Sequence, residues 1–310
     1  MRITNKMLVN HSLSNLQGNL RRLSRTNEQL ASGKKILRPS DDPVGITNVL
    51  KYTANRREIE QHLSNVDRGI GYLETADSAL AELGEVLQRG RELAVQGSNG
   101  ALDERARAAI ADEVQQLLDH VIQIGNSTFA DEYMFGYAKT DTAPFQLDKD
   151  GNILFLEREL ISVDGVIDDT YLGKLASVQG SGIEIGVGIT LDFRIGGDDA
   201  FTTAMSALLQ LNHALTNADG DVNATLSQFD VAIDDALRSR SEAGAKVKRL
   251  EVTATRLKDL ELSTRTLLSK VQDIDVAETI MNLKMEENAY YLALSSGARI
   301  IQPTLMDFLR

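Results

Sequence analysis

The chain contains no cysteine and no tryptophan. Disulfide frameworks, thiolate zinc sites and cysteine nucleophiles are therefore excluded at once. Four histidines are scattered through 310 residues, and no two stand at metal-ligand spacing. No apolar run reaches the roughly 18 residues of a membrane span, and the N-terminal stretch lacks the apolar centre of a signal peptide. Physical rules alone thus predict a soluble, unprocessed protein, and an export route without a cleaved signal would escape them. The formal net charge of −12 speaks against nucleic-acid binding. The charge is nevertheless unevenly spread. Residues 1–40 carry Arg2, Lys6, Arg21, Arg22, Arg25, Lys34, Lys35 and Arg38 against Glu28 alone, while 141–235 are strongly acidic. Because Arg21, Arg22 and Arg25 lie beside an apolar seam, the basic cluster reads as a solvated helix face.

What is present is a heptad-like rhythm at both ends. Near the C-terminus, Ile280, Leu283, Tyr291, Leu294, Ala298, Ile301, Leu305 and Phe308 recur, after one gap, in alternating steps of three and four. That is a coiled-coil seam rather than a broad globular face. Val9, Leu13, Leu16, Leu20, Leu23, Asn27 and Leu30 repeat the rhythm near the N-terminus. Two narrow seams at opposite termini predict that the chain doubles back and zips its ends together. A two-helix hairpin cannot cover both stripes, so the remainder is left for other chains.

Between the seams the punctuation is sparse and informative. A first helix over 4–32 ends at Gly33, a left-handed C-cap. In Arg38-Pro39-Ser40-Asp41-Asp42-Pro43, two prolines bracket a run of capping residues, which predicts an extended linker, then a cap, then a helix with Pro43 in its first turn. The adjacent carboxylates are read as caps, not as an acid–base pair. The second helix, over 44–96, carries Ile59, Leu63, Val66, Ile70, Leu73, Leu80 and Leu87, and at about 1.5 Å per residue it is about 80 Å long. Asp103 caps a third helix bearing Ile110, Val114, Leu117, Val121 and Ile124. Residues 139–197 then turn β-rich: 153–161 is apolar and β-leaning, and 183–195 alternates cleanly. Helix returns over 200–216 with Asp198 or Asp199 as cap, and a long helical pattern follows, jointed only at Asp273–Asp275.

The expected fold is mainly α: a long antiparallel helical rod or coiled coil built from both chain ends, with a small β-rich inserted domain. Three parts are expected: 1–38 with 276–310 as a terminal assembly domain, 39–138 with 198–275 as a helical domain, and 139–197 as the insert. The expected assembly interface comprises Leu13, Leu16, Leu20, Leu23, Leu30, Ile280, Leu283, Leu294, Ile301, Leu305 and Phe308.

No motif calls for catalysis. Asp148, Asp150, Gly151 and Glu157 occupy places of a calcium-binding loop, but Gln146 stands where an Asp belongs and the flanks look like strand. A hairpin turning at Lys149-Asp150-Gly151-Asn152 is the better reading. Gly180-Ser181-Gly182 lacks the Lys-Ser/Thr of a phosphate loop and precedes a strand. No enzyme, metal or cofactor is expected.

Four stretches make the chain resemble the flagellin family: Met1-Arg2-Ile3-Thr4 leading to Gln29-Leu30-Ala31-Ser32-Gly33-Lys34; the linker Arg38–Pro43; Arg91-Glu92-Leu93-Ala94-Val95-Gln96; and Glu132–Tyr137 with Lys139–Phe145. The proline-rich linker and the Phe135-Gly136-Tyr137 region resemble the members that join hook to filament more than those that form the filament itself. The resemblance implies an extracellular axial protein of the bacterial flagellum, secreted through the flagellar type III apparatus without a cleaved signal. Implied partners are hook-associated protein 1, flagellin, copies of the chain in a ring, and a cytoplasmic export chaperone on the C-terminal helix. No nucleic acid and no membrane insertion are implied. The alternatives are a flagellin filament subunit and an unrelated coiled-coil adaptor.

Overall fold

The computed structural model describes residues 5–99, 103–136, 139–148, 152–156, 158–167, 182–195, 198–217 and 220–301. Six helices are present among them: α1 (Asn5–Ser32), α2 (Pro43–Gly97), α3 (Glu104–Gly125), α4 (Asp198–Thr216), α5 (Val222–Gln272) and α6 (Val276–Ile301). Short strands occupy the middle of the chain, so the protein is mainly α with a small strand-containing region, as expected. The residues fall into two compact units, 1–59 with 259–310 and 60–258. The residues of α2 and α5 divide between them.

Local sequence dictates the helix ends. Gly33 adopts φ +69°, the left-handed conformation that closes α1. Pro43 opens α2, where its missing N–H is harmless. The Asp103 carboxylate accepts from the Ala106 amide at 2.9 Å and caps α3. Both Asp198 and Asp199 lie within α4, and their side chains are outside the described set.

The unit over 60–258 has an ordinary core. Val66, Leu73, Leu80, Leu83 and Leu87 of α2 are buried, with Ala236, Ala243 and Leu250 of α5. The two helices run antiparallel, since Asp77 pairs with Arg240 and Arg91 with Asp230. On α3 the fully buried residue is Leu118 rather than Leu117, one step from the expected register. Asn126, just past α3, bonds both backbone groups of Phe145 with its side-chain amide. Its Nδ2 donates to the Phe145 carbonyl at 2.8 Å, and its Oδ1 accepts from the Phe145 amide at 2.9 Å. Phe145 then packs against Phe155 and Phe201, with ring centroids 4.9 and 5.8 Å apart.

Among the described residues there are three small antiparallel sheets. β1 (Thr128–Phe129) and β2 (Glu132–Tyr133) form a hairpin whose turn residues, Ala130 and Asp131, have φ of 51° and 66°. β3 (Phe145–Leu147), β4 (Ile153–Phe155) and β5 (Arg158–Ile161) form a meander. The expected hairpin is supported by the Leu147–Ile153 register, while Lys149, Asp150 and Gly151 lie outside the described residues. β4 and β5 split the apolar run 153–161, which breaks at Leu156 with φ +51°. The alternating stretch 183–195 is likewise two strands: β6 (Ile183–Gly186) and β7 (Ile189–Leu191) fold back at Val187-Gly188. Gly188 at φ +70° permits the reversal.

Candidate functional site

The unit formed by 1–59 and 259–310 is unusual in where it puts its apolar residues. Among its described residues, only Ile36, Val49 and Ile59 are fully buried apolar side chains. Outside lie Leu13 and Leu20 of α1, Val44 and Leu50 of α2, Leu260, Leu262 and Leu267 of α5, and Ile280, Met281, Met285, Tyr291, Leu292 and Leu294 of α6.

α1 and α6 do pair, and they run antiparallel. Asn19 Nδ2 donates to the Ala289 carbonyl at 3.5 Å, Arg22 Nε bonds both Glu286 oxygens at 3.0 and 3.1 Å, and the Ile274 amide donates to the Gly33 carbonyl at 3.1 Å. The seam, however, is not the one the apolar rhythm predicts. The described α1 residues with reduced exposure are Val9, Ser12, Leu16, Gly18, Asn19, Leu23, Thr26, Gln29 and Leu30, and all but Gly18 and Gln29 keep steps of three and four. Alternate seam places are thus polar. On α6 the residues with reduced exposure are Thr279, Asn282, Leu283, Glu286, Glu287, Ala289, Tyr290, Ala293 and Gly297.

Of the predicted interface, Leu16, Leu23, Leu30 and Leu283 are half-buried, whereas Leu13, Leu20, Ile280 and Leu294 are exposed. The side chain of Ile301, and all of Leu305 and Phe308, lie outside the described residues. The physical reason for the shift is stripe width. At 100° per residue Leu13 and Leu20 sit on the flank of the face that α6 covers. A single partner helix protects only part of that stripe. On α5 Leu260 and Leu267 also face outward, and Thr264, between them, is the residue that turns inward and is buried. Sequence periodicity missed Met281, Met285 and Leu292, whose signal is a second apolar phase on α6.

The joint between these helices is well defined. The Lys35 amide donates to the Gln272 carbonyl at 2.6 Å, and Lys34 bridges to Asp273. Gln29 Nε2 donates to the Lys35 carbonyl at 2.9 Å. Asp275 caps α6, accepting from the Ala277 and Glu278 amides at 2.9 and 3.2 Å. In the linker the two aspartates point apart. Asp42 Oδ1 caps α2 through the Val44 and Gly45 amides. Asp41 accepts from the Leu37 and Arg38 amides and pairs with Arg25 at 3.1 Å. The Arg38 amide first, then the Leu37 amide and the Arg25 and Arg38 charges, outweigh partial desolvation and hold its carboxyl below the ordinary 3.8.

Among the described residues no three His, Asp or Glu side chains are grouped to hold a metal ion, and no helix is long and apolar enough to cross a membrane. Of the calcium-loop places, Asp150, Gly151 and Glu157 lie outside the described set.

The described part of this unit leaves several of its leucines exposed on α1, α5 and α6, and likeness to known proteins supplies the family. The family described as bacterial flagellin N-terminal helical region matches residues 3–140. A flagellin of Halalkalibacterium halodurans is 30% identical over 281 residues, covering 89% of each chain. Flagellar hook-associated protein 3 of Escherichia coli is 23% identical, covering 93% of each. The solved flagellar hook-associated protein-3 of Legionella pneumophila superposes with a TM-score of 0.56 at 14% identity, over 72% of this chain and 98% of that one. The chain belongs to the flagellin family, and it is a structural protein of the bacterial flagellum.

Proposed function

We propose that the chain is the junction subunit that joins the flagellar hook to the flagellin filament. The observation that carries this reading is the inside-out unit, whose exposed Leu13, Leu20, Ile280 and Leu294 are available for helices of neighbouring subunits. Burying such side chains returns about 1.5–3 kcal/mol each. The proline-bracketed linker, clamped by Asp41 to Arg25 and to the 37–38 amides, favours the junction over the filament. The likeness to hook-associated protein 3 over 93% of both chains supports the same choice. The partners in this reading are hook-associated protein 1 on one side, flagellin on the other, and further copies in a ring. The chain leaves the cell through the flagellar type III apparatus, its C-terminal helix held beforehand by a chaperone.

Deleting the gene tests the reading. Cells should keep hooks, lack filaments and shed unpolymerised flagellin into the medium, with rescue by the intact chain. The flagellin alternative rests on the 30% identical relative. Long filaments formed by the purified chain alone would favour it and overturn the junction reading.

We also propose the three-part division into 1–38 with 276–310, 39–138 with 198–275, and 139–197. Removing 1–38 and 276–310 should leave a core that melts in one cooperative transition. A truncated protein without such a transition would count against the division.

A further inference from the structure

The described methionines are partitioned by unit. Met134 and Met205, in the unit over 60–258, are 1% and 0% exposed, whereas Met7, Met281 and Met285 are 62%, 63% and 62% exposed. Met281 and Met285 stand one helical turn apart on α6, and Leu292 continues the same stripe. That stripe lies across the helix from Leu283, Glu286 and Tyr290, which turn towards α1. The two thioethers are therefore open to solvent and to small oxidants, on a face that no described residue of the unit covers.

From this geometry we propose that Met281 and Met285 form a modification site for two-electron oxygen donors of the peroxide class. A sulfur lone pair attacks one peroxide oxygen and forms the S–O bond. The O–O bond breaks, the thioether becomes a sulfoxide, and the second oxygen leaves as water with both protons. Sulfoxidation turns a flexible apolar side chain into a polar one, and methionine sulfoxide reductases reverse it. The core methionines stay reduced because no oxidant reaches them. Resting on the junction reading above, the consequence is that an oxidised subunit keeps its core fold and loses its ability to dock.

The test treats the full-length protein with hydrogen peroxide and follows each methionine by peptide mass spectrometry. Met281 and Met285 should gain one oxygen before Met134 and Met205. The core thermal transition should not move, and attachment to hooks isolated from cells lacking this chain should fall by roughly tenfold or more. Reductase treatment should restore attachment. The double variant Met281→Leu/Met285→Leu, which conserves volume, should attach to the same extent before and after peroxide. Oxidation of Met134 or Met205 at the same rate would overturn the site. A double variant that still loses attachment after peroxide would overturn its role in docking. Untreated protein that attaches to no hook would instead sink the junction reading and the docking consequence together, leaving the order of oxidation to judge the site alone.

Discussion

Asp41 turns its carboxylate back to the Leu37 and Arg38 amides, whereas Asp42 turns its own forward to Val44 and Gly45. Two identical neighbours thus fold the linker and start the helix. Because the folded Asp41 carboxyl titrates below 3.8, it favours the folded state above that value, and the contribution is lost as pH falls through the lowered value. Asp41→Asn should therefore melt earlier than the parent at neutral pH, with the gap closing in acid. Melting curves whose difference stays constant with pH would refute this assignment. Gly90 is a second residue whose role is geometric. A Cβ there would lie 2.6 Å from Cε1 of Phe229, a ring with no exposure. Gly90→Ala gains about 1 kcal/mol of helix propensity but overpacks the core at a cost of about 1–3 kcal/mol. The net effect should be destabilising, read as a lower denaturant midpoint at unchanged slope. A raised midpoint would show that Phe229 yields.

At the scale of elements, most of the architecture is legible in the sequence because the punctuation is chemical. Gly33, Asp42, Pro43, Asp103 and Asp275 each supply a terminus with the group its backbone needs, and each stands where the expected break falls. Two things were not legible. The hairpins hide in runs of apolar residues, since Ala130-Asp131 and Leu156 take positive φ without the glycine or asparagine that announces it. The facing of α1 and α6 differs from the expected one because periodicity assumes that apolar means inward. Here Thr26 and Thr279 occupy inward places and leucines stand outside. That inversion separates assembly from folding. Leu294→Asp should abolish hook attachment, because burying an unpaired carboxylate costs several kcal/mol, roughly. The same change at an already exposed position should alter monomer stability by less than about 0.5 kcal/mol. Normal motility in the mutant would remove α6 from the interface.

Across the whole molecule the two units differ in what holds them. Within 60–258, leucines and phenylalanines are buried by several elements at once. Among the described residues the pair formed by α1 and α6 has no such enclosure: each helix covers one side of the other, and alternate α1 seam places are serine, asparagine and threonine. Fixing a backbone costs about 1–2 kcal/mol per residue. An isolated helix in water is marginal unless an apolar face is buried. The Arg22–Glu286 pair adds little, since Arg22 remains more than half exposed and such surface pairs are worth about 0–1 kcal/mol. The terminal pair should therefore open far more readily than the core when the protein is free, and become stable only when neighbouring subunits cover the outer leucines. An end that opens easily also suits the export route and chaperone capture proposed above. Amide hydrogen exchange on the purified monomer measures the difference. Protection over Leu13–Leu30 and Ile280–Leu294 should be weak, against strong protection over Val66–Leu87, and should rise sharply in the assembled state. Equal protection of the ends and the core in the monomer would mean that the seam is already complete, and the outer leucines would then need another explanation.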